Sequence, residues 1–230
     1  SKDVRMDRFF DILFSGVALL LLSPLLVPIL IILRLTGEGE VFFLQERIGI
    51  GNKKFKLLKF ATMLKNSPNM GTGTVTMRSD PRVLPVGKFL RKSKINELPQ
   101  LLNIFFGDMS VIGPRPLTIQ TFGAYSEHTQ SLITQVRPGL SGVGSIIFRD
   151  EEEIMFGEKA SVDFYANVIA PYKGALEEWF VLNKSLYIYF MAIFVTVWAI
   201  LVPRTKIAWR VFKYIPEPPI ELKQALNFTD

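Results

Sequence analysis

A long uncharged segment, from Ile12 to Leu33, constrains this chain more than any other feature of its sequence. It matches the roughly 20 apolar residues that cross a hydrocarbon core, yet it contains Pro24 and Pro28, and basic residues flank both ends. Basic flanks prefer the cytoplasmic side, and an internal proline removes a hydrogen bond and kinks a helix. We therefore predict a helix that enters the membrane, breaks near Ser23-Pro24 and returns, with the Ser23 hydroxyl bonded to a carbonyl that the break frees. A proline-kinked helix that crosses once is the alternative.

Composition narrows the classes of function. Lysine and arginine number 27 against 21 aspartate and glutamate, and the resulting +6 charge suits anionic lipid, nucleotide phosphates or nucleic acid. No nucleic-acid motif accompanies that charge, so we predict no nucleic-acid partner. The absence of cysteine excludes disulfides and thiolate metal sites, and His128 is the only histidine that a Ser-His-Asp triad could use. The sequence contains neither a Walker A motif nor a G-x-G-x-x-G after a strand.

Three further segments have recognisable patterns. The stretch VFFLQERIGIGNKKFKLLKFATM contains two β-rich runs around a glycine turn and predicts a β-hairpin, and a long polar loop follows over residues 65–82. A second uncharged run, from Leu186 to Val202, is marginal for a span. We expect it to pack against the first hydrophobic element and to contact the membrane rather than to cross it. Prolines near the end predict an extended C-terminal tail.

The stretch RKSKINELPQLLNIFF carries the first candidate site. Apolar residues recur from Leu98 at helical spacing, and Pro99 is tolerated only in a first turn. The pattern therefore predicts a helix with Asn96 near its N-cap and Glu97 at its first position. Free backbone N–H groups and nearby cations would form an anion site there, although Asn and Glu also suit a helix start for structural reasons. The stripe and the cations are Leu98, Leu101, Leu102 and Phe105, and Arg91, Lys92 and Lys94.

The stretch GDMSVIGPRPL carries the second candidate, Arg115, with a proline on each side. The prolines fix the backbone and can aim the guanidinium at a phosphate or carboxylate, which its planar fork binds bidentately. A turn in which Arg115 pairs with Asp108 is the alternative. Arg137 repeats the pattern in VRPGLSG, where two glycines let the backbone approach a ligand.

A family resemblance lies in the order of these motifs. FKLLKFATM, LRKSKINELPQLLNIFFGDMSVIGPRPL and VRPGLSG follow a basic-flanked run with Ser23-Pro24, and together they resemble the bacterial sugar transferase family from about residue 2 to about residue 205. Members are monotopic phosphoglycosyl transferases, which begin lipid-linked glycan assembly. The resemblance implies transfer of a sugar-1-phosphate from a UDP-sugar to polyprenyl (undecaprenyl) phosphate, with Mg²⁺ and a covalent phosphosugar-enzyme intermediate. It also implies a re-entrant helix in inner-membrane lipid, with both ends on the cytoplasmic face.

Site residues follow from the resemblance by position. It implies that Lys59, Arg91, Arg115 and Arg137 hold phosphates. It also implies that Glu97 is the second residue of a catalytic Asp-Glu dyad and a candidate for binding Mg²⁺. The first residue of that dyad, the nucleophilic Asp, is Asn96 in this chain, and a carboxamide cannot form the acyl phosphate. Either the mechanism differs, the chain is not a competent transferase, or the residue was changed deliberately.

The sequence as a whole predicts an α+β protein in three parts. Residues 1–36 form a re-entrant membrane helix, 37–205 a small, mainly helical catalytic domain with a short β-hairpin, and 206–230 a tail. The alternative function is a non-catalytic scaffold that binds UDP-sugar or polyprenyl phosphate. We expect exopolysaccharide or lipopolysaccharide biosynthesis as the context, and a homodimer would be unsurprising. Selection of the sugar is expected from the 64–80 loop or from GSIIFRDEEE, whose acidic run is a solvated face rather than a metal site.

Overall fold

The computed structural model describes residues 2–71, 79–149 and 161–228. The chain forms two compact units. The large unit contains residues 1–11, 47–55 and 107–230, and the small unit contains residues 12–46 and 56–106. The elements in chain order are α1 (Lys2–Leu35), β1 (Phe42–Ile48), β2 (Lys54–Phe60), α2 (Pro85–Lys92), α3 (Gln100–Phe106), β3 (Ser110–Ile112), α4 (Ile119–Gly123), α5 (Glu127–Ile133), β4 (Gly139–Ser141), α6 (Val143–Ile147), α7 (Val162–Phe164), α8 (Ala170–Leu182), α9 (Leu186–Leu201), α10 (Ile207–Val211) and α11 (Ile220–Lys223).

Helix α1 contains the predicted membrane segment. It is the one helix in the described part of the chain that is long and apolar enough to cross a membrane, and little of it is buried by protein. The Ser23 hydroxyl donates to the carbonyl of Leu20 at 2.7 Å. Pro24 has no N–H with which to reach that carbonyl, so the expected role of Ser23 is confirmed. The helix is assigned without a gap through Pro24 and Pro28; the predicted break is not seen, and re-entry stays a prediction.

The β-hairpin is confirmed, because β1 and β2 pair in a two-stranded sheet with a 3₁₀ turn over Ile50–Asn52 between them. Helix α3 supports this hairpin through one side chain. The Asn103 carbonyl oxygen accepts the N–H of Leu58 at 2.9 Å, and the Asn103 amide donates to the carbonyl of Lys56 at 2.8 Å. A buried asparagine thus pairs with backbone groups at one edge of β2, as buried polar groups require.

The small unit has an apolar core in which Ile29 and Leu33, near the end of α1, pack with Phe60 and Leu90. This core fixes the C-terminal part of the membrane helix to the hairpin and to α2. A second support is Arg82, which is buried. Its guanidinium pairs bidentately with Asp80 and donates to two backbone carbonyls of the preceding loop. Arg82 therefore joins the two described ends of the predicted 65–82 loop through hydrogen bonds. Residues 72–78 of this loop lie outside the described residues.

The large unit contains a second sheet that the sequence did not predict. Strands β3 and β4 pair in parallel, with Ser110 opposite Gly139 and Ile112 opposite Ser141. Each strand has three residues, too few for a detectable alternation. The start of α1 joins this sheet, because the Asp11 carboxylate accepts hydrogen bonds from Ser110 and the N–H of Val111.

Helix α9 contacts the start of α1, just before the uncharged run Ile12–Leu33 against which it was predicted to pack. Tyr189 donates to Asp11 at 2.8 Å, and the rings of Phe190 and Phe10 meet edge to face at 4.9 Å. The opposite side of α9 is apolar and exposed. At 1.5 Å per residue its 16 residues span about 24 Å, short of the roughly 30 Å of a hydrocarbon core. Its exposed side chains include Tyr187, Phe194, Val197, Trp198 and Leu201.

The prediction of an extended tail was wrong. Residues after 206 form α10 and α11, and they bury Phe212, Leu222 and Leu226 in the large unit. Tyr172 on α8 also donates to the carbonyl of Pro216 at 2.9 Å. The prolines suggested an extended chain, but apolar side chains spaced between them supply enough burial to fold the segment onto the domain.

Candidate active site

The dyad residues lie on a short turn rather than at the start of a long helix. Residues Ile95–Glu97 form a 3₁₀ turn, which hereafter is the dyad turn, and α3 begins only at Gln100. Lys94, before the turn, has a left-handed backbone with φ of 62°. The predicted N-cap at Asn96 was therefore wrong, and a single 3₁₀ turn has no helix dipole of consequence for an anion. The local cause is Pro99, which cannot donate a backbone hydrogen bond at the point where the helix would begin.

The predicted apolar stripe is also only partly right. Leu101 is buried, but Phe105 is exposed, and the buried face of α3 instead includes Ile104 and Asn103. The reason is the Asn103 contact with β2, which turns a polar residue inward and rotates the helix accordingly.

The two dyad side chains differ in exposure. Asn96 is buried, whereas the Glu97 side chain is 42% exposed. Lys59 on β2 places its Nζ 4.0 Å from Glu97 Oε1. The small unit thus brings together two of the predicted site residues as a partly exposed ion pair beside the dyad turn. A partly exposed ion pair contributes little to the free energy of unfolding. The Lys59–Glu97 pair therefore fits a functional role better than a stabilising one.

Arg91 belongs to the same unit. It lies in the last turn of α2, and its guanidinium donates to the hydroxyl of buried Thr62 at 3.3 Å. Helix α2 approaches Thr62 closely because position 87 is glycine: a Cβ there would lie 2.2 Å from the Thr62 carbonyl oxygen. The motif KFATM therefore packs directly under the helix that carries Arg91.

The large unit holds the other two predicted arginines on neighbouring segments. Residues 113–116, the Pro-Arg-Pro loop, follow β3 and pack against the start of β4. A Cβ on Gly113 would lie 2.4 Å from the carbonyl oxygen of Arg137, and the N–H of Gly139 donates to the Pro114 carbonyl. The glycines were predicted to let the backbone approach a ligand. In the structure they instead let the backbone of the Pro-Arg-Pro loop approach the backbone at the start of β4. It sets the path of the loop that carries Arg115.

The Arg115 side chain is exposed. Among the described residues no carboxylate lies within ion-pair distance of its guanidinium, so the alternative pairing with Asp108 is not seen. Burial raises the pKa of Glu177, a residue of α8, to about 8, and the nearby charges of Lys173 and Arg115 oppose that rise.

Arg137 is partly buried, and its Nε donates to the carbonyl of Gly107 at 2.8 Å. The guanidinium of Arg8, from α1, lies against the same glycine. Sequence reasoning identified neither Arg8 nor Glu177 as part of this region. The available signal for Glu177 was a carboxylate within the apolar run LEEWF, which is unusual for a buried helix face.

The candidate metal ligand is a single carboxylate. Within the described residues there is no group of three or more His, Cys, Asp or Glu that could hold a metal ion. Mg²⁺ is commonly held by one or two carboxylates together with substrate phosphates. The exposed part of Glu97 fits that arrangement, in which the substrate supplies most of the oxygen ligands. The acidic run at 150–153 lies outside the described residues.

The chain thus carries a long apolar N-terminal helix, a dyad turn and a Pro-Arg-Pro loop, and comparison with known families shows to which class it belongs. The profile of the bacterial sugar transferase family matches residues 2–203, and the chain belongs to that family. The expected resemblance is therefore confirmed over nearly the whole chain.

Named relatives give the family a biochemical context. The exopolysaccharide production protein ExoY of Rhizobium meliloti (strain 1021) is 38% identical over 158 residues, which are 63% of this chain and 70% of that protein. The UDP-N-acetylgalactosamine-undecaprenyl-phosphate N-acetylgalactosaminephosphotransferase of Aeromonas hydrophila is 38% identical over 144 residues, 62% of this chain and 34% of that protein. The UDP-glucose:undecaprenyl-phosphate glucose-1-phosphate transferase of Escherichia coli (strain K12) is 36% identical over 166 residues, 69% and 35% respectively. The matched part thus covers about a third of the last two relatives.

Proposed function

We propose that this fold transfers a sugar-1-phosphate from a UDP-sugar to undecaprenyl phosphate at the cytoplasmic face of the bacterial inner membrane. The observation that carries the proposal is the dyad turn, where Glu97 lies beside Lys59 in a chain of the bacterial sugar transferase family. Relatives whose names state this reaction supply the substrate class. The specific sugar and the polysaccharide, whether exopolysaccharide or lipopolysaccharide, are left to experiment.

The chemistry requires a carboxylate at position 96. With aspartate there, a carboxylate oxygen attacks the phosphorus that bears the sugar, an acyl phosphate bond forms, and the P–O bond to the leaving UMP breaks. An oxygen of undecaprenyl phosphate then attacks the same phosphorus and releases the carboxylate. The Asn96 carboxamide is too weak a nucleophile for the first step. We therefore expect negligible transfer by the chain as written.

Phosphate charge is held by cationic side chains. In the small unit, Lys59 and Arg91 present cations near the dyad turn. In the large unit, the Arg115 side chain is exposed. Charge-assisted hydrogen bonds from a guanidinium or an ammonium group bind phosphate oxygens. Mg²⁺, held through Glu97 and the substrate, would neutralise charge on the diphosphate and the leaving UMP.

Membrane association follows from α1, and we propose that both of its ends lie on the cytoplasmic side. Basic residues at both ends support this topology. The exposed apolar side of α9 would then contact the same membrane surface. A homodimer stays a prediction.

Cysteine labelling tests the topology, because this sequence has no cysteine. Lys2→Cys and Lys53→Cys are prepared as single variants in intact cells. Both should resist a membrane-impermeant thiol reagent added from the periplasm and should react after permeabilisation. Labelling of Lys2→Cys alone from the periplasm would establish a crossing helix.

A non-catalytic scaffold that binds UDP-sugar or polyprenyl phosphate is the second candidate, and Asn96 is the observation that favours it. UMP release over a panel of UDP-sugars distinguishes the two. Membranes that contain the chain, or its Asn96→Asp variant, are incubated with undecaprenyl phosphate, Mg²⁺ and each donor. Recovery of UMP release by Asn96→Asp supports the transferase. A variant that binds donor yet releases no UMP with any of them supports the scaffold.

A further inference from the structure

The segment that follows α9 is strongly basic and lies beyond the residues that the family profile matches, since that profile ends at residue 203. Residues 203–216, hereafter the basic segment, contain four arginines and lysines and neither aspartate nor glutamate. None of the proposed site residues lies in this segment, so the transfer reaction does not account for its charge. All four cations are exposed: Arg204, Lys206, Arg210 and Lys213.

The basic segment is fixed to the large unit by its apolar residues. Phe212 is buried, and its ring meets that of Trp179 on α8 at 5.7 Å. Ala208, one helical turn before Phe212, is buried as well. Lys206 and Arg210 are also four residues apart, and both are exposed, so they share the outward side of α10. The cations are therefore held in place by the packing of the opposite side.

The end of α9 adds exposed aliphatic side chains to these cations. Ile200, Leu201 and Val202 are all exposed, Leu201 by 73%. The indole N–H of Trp198 donates to the hydroxyl of Thr205 at 3.1 Å, which ties the end of α9 to the start of the basic segment. An apolar surface is thus followed directly by a cationic one.

An aromatic ring also stands in solvent near the end of the basic segment. Tyr214 is 95% exposed, and its backbone is left-handed with φ of 60°, a conformation that residues other than glycine rarely adopt. Its ring therefore packs little against the rest of the chain. Tyrosine and tryptophan side chains are enriched where a protein meets the membrane–water interface.

We propose that the end of α9 and the basic segment dock on anionic phospholipids of the membrane surface. The aliphatic side chains would enter the acyl boundary, and the four cations would lie at the level of the lipid phosphates. Anionic lipid attracts arginine and lysine near the surface, and exposed aliphatic side chains strengthen the attachment by leaving water. A nucleic acid could pair with the cations but offers no apolar environment for Ile200 and Leu201. The inference goes beyond the proposed reaction, because it holds whether or not the chain transfers a sugar.

Fluorescence quenching in lipid nanodiscs tests the proposal on the full chain. Tyr214→Cys introduces a single cysteine for a bimane probe, since the sequence has no other. The nanodiscs contain phosphatidylcholine alone or an equal mixture with phosphatidylglycerol, and both carry a lipid with a nitroxide on its headgroup. Quenching should be stronger in the anionic discs, and the difference should shrink as salt is raised, because added ions screen exposed charges.

Two double variants of equal charge separate the basic segment from the net charge of the protein. A cation near an anionic surface contributes about fivefold to the ratio of docked to undocked protein, so Arg210→Gln with Lys213→Gln should lower that ratio roughly 25-fold in anionic discs. Lys53→Gln with Lys54→Gln is the matched control, because it removes two exposed cations from the hairpin turn of the same unit. The control should leave quenching unchanged.

Three results would overturn the proposal. Equal quenching in neutral and anionic discs at low salt would show that the segment does not select anionic lipid, and this comparison needs no charge variant to fold. Equal losses from the two double variants would show an effect of net charge alone. A probe that is quenched in neither disc but responds to an added oligonucleotide would assign the segment to nucleic acid. None of these measurements uses UMP release, so their failure leaves the proposed transferase standing.

Discussion

The dyad turn and the Pro-Arg-Pro loop hold their functional side chains in opposite ways. At the dyad turn the side chains already contact protein: Lys59 lies beside Glu97, and Arg91 donates to Thr62. In the Pro-Arg-Pro loop the protein holds the backbone next to Arg115, where the N–H of Gly139 donates to the Pro114 carbonyl, while the Arg115 side chain is exposed.

The difference suggests that the two regions contribute to different steps, the dyad turn to bond making and the Pro-Arg-Pro loop to binding. Side chains that take part in bond making need their own orientation fixed before the substrate arrives. An arginine that only binds phosphate needs a backbone held in place and a guanidinium that is accessible to the ligand. We therefore expect changes at the dyad turn to affect turnover, and changes in the Pro-Arg-Pro loop to affect donor affinity.

The largest expected effect tests the dyad turn. In the active Asn96→Asp background, Glu97→Gln should lower turnover by about 10²-fold or more, because Glu97 is the proposed ligand of the Mg²⁺ that offsets charge on the diphosphate, a contribution of several kcal/mol. UDP affinity without Mg²⁺ should change little. UMP release and UDP binding are measured on the same preparation, with Glu178→Gln as the control. Turnover that survives Glu97→Gln, with no phosphosugar adduct in the intact mass, would show that the dyad mechanism does not apply.

The next effect compares one arginine from each region. Arg115→Ala should weaken UDP binding at least about tenfold, since a charge-assisted hydrogen bond contributes about 1.5–3 kcal/mol. Its melting temperature should not change, because no described side-chain contact is lost. Arg91→Ala should also weaken binding, but with a small loss in melting temperature from the Thr62 contact. A fall in melting temperature for Arg115→Ala with unchanged affinity would make that arginine structural.

A pH series tests the raised pKa of the buried Glu177 carboxyl group. Burial raises the pKa of Glu177 from its ordinary 4.5 to about 8, so the folded state binds the proton more tightly than the unfolded state. Its contribution to stability is full below about pH 4.5 and is lost as pH rises through about 8. Relative to Glu177→Gln, the natural chain should lose on the order of 2 kcal/mol between pH 6 and pH 9. Parallel melting curves for the two chains would contradict a raised pKa.

The smallest expected effect on stability belongs to Lys59. Lys59→Met removes a partly exposed ion pair and should change the free energy of unfolding by less than about 1 kcal/mol. In the Asn96→Asp background it should nevertheless lower turnover, because it removes the cation beside Glu97. Denaturant unfolding and UMP release measure the two effects. A large loss of stability with normal turnover would show that the Lys59–Glu97 pair is structural and not part of the active site.

Local signals in the sequence were sufficient for several elements. The apolar run of α1, the hairpin, the contact of Ser23 with a carbonyl freed by Pro24, and the packing of α9 on α1 all follow from hydrophobicity, turn residues and proline chemistry over short stretches. The order of motifs also identified the family, because each motif preserves residue types at fixed spacing.

Long-range contacts decided the rest. The buried face of α3 is decided by Asn103, which pairs with the backbone of β2, 45 to 47 residues earlier in the chain. The C-terminal segment folds because its apolar side chains are buried in the large unit. Sequence patterns report which residues can be buried or bonded. Only the tertiary structure supplies the distant partner of a buried polar group, as the backbone of β2 does for Asn103.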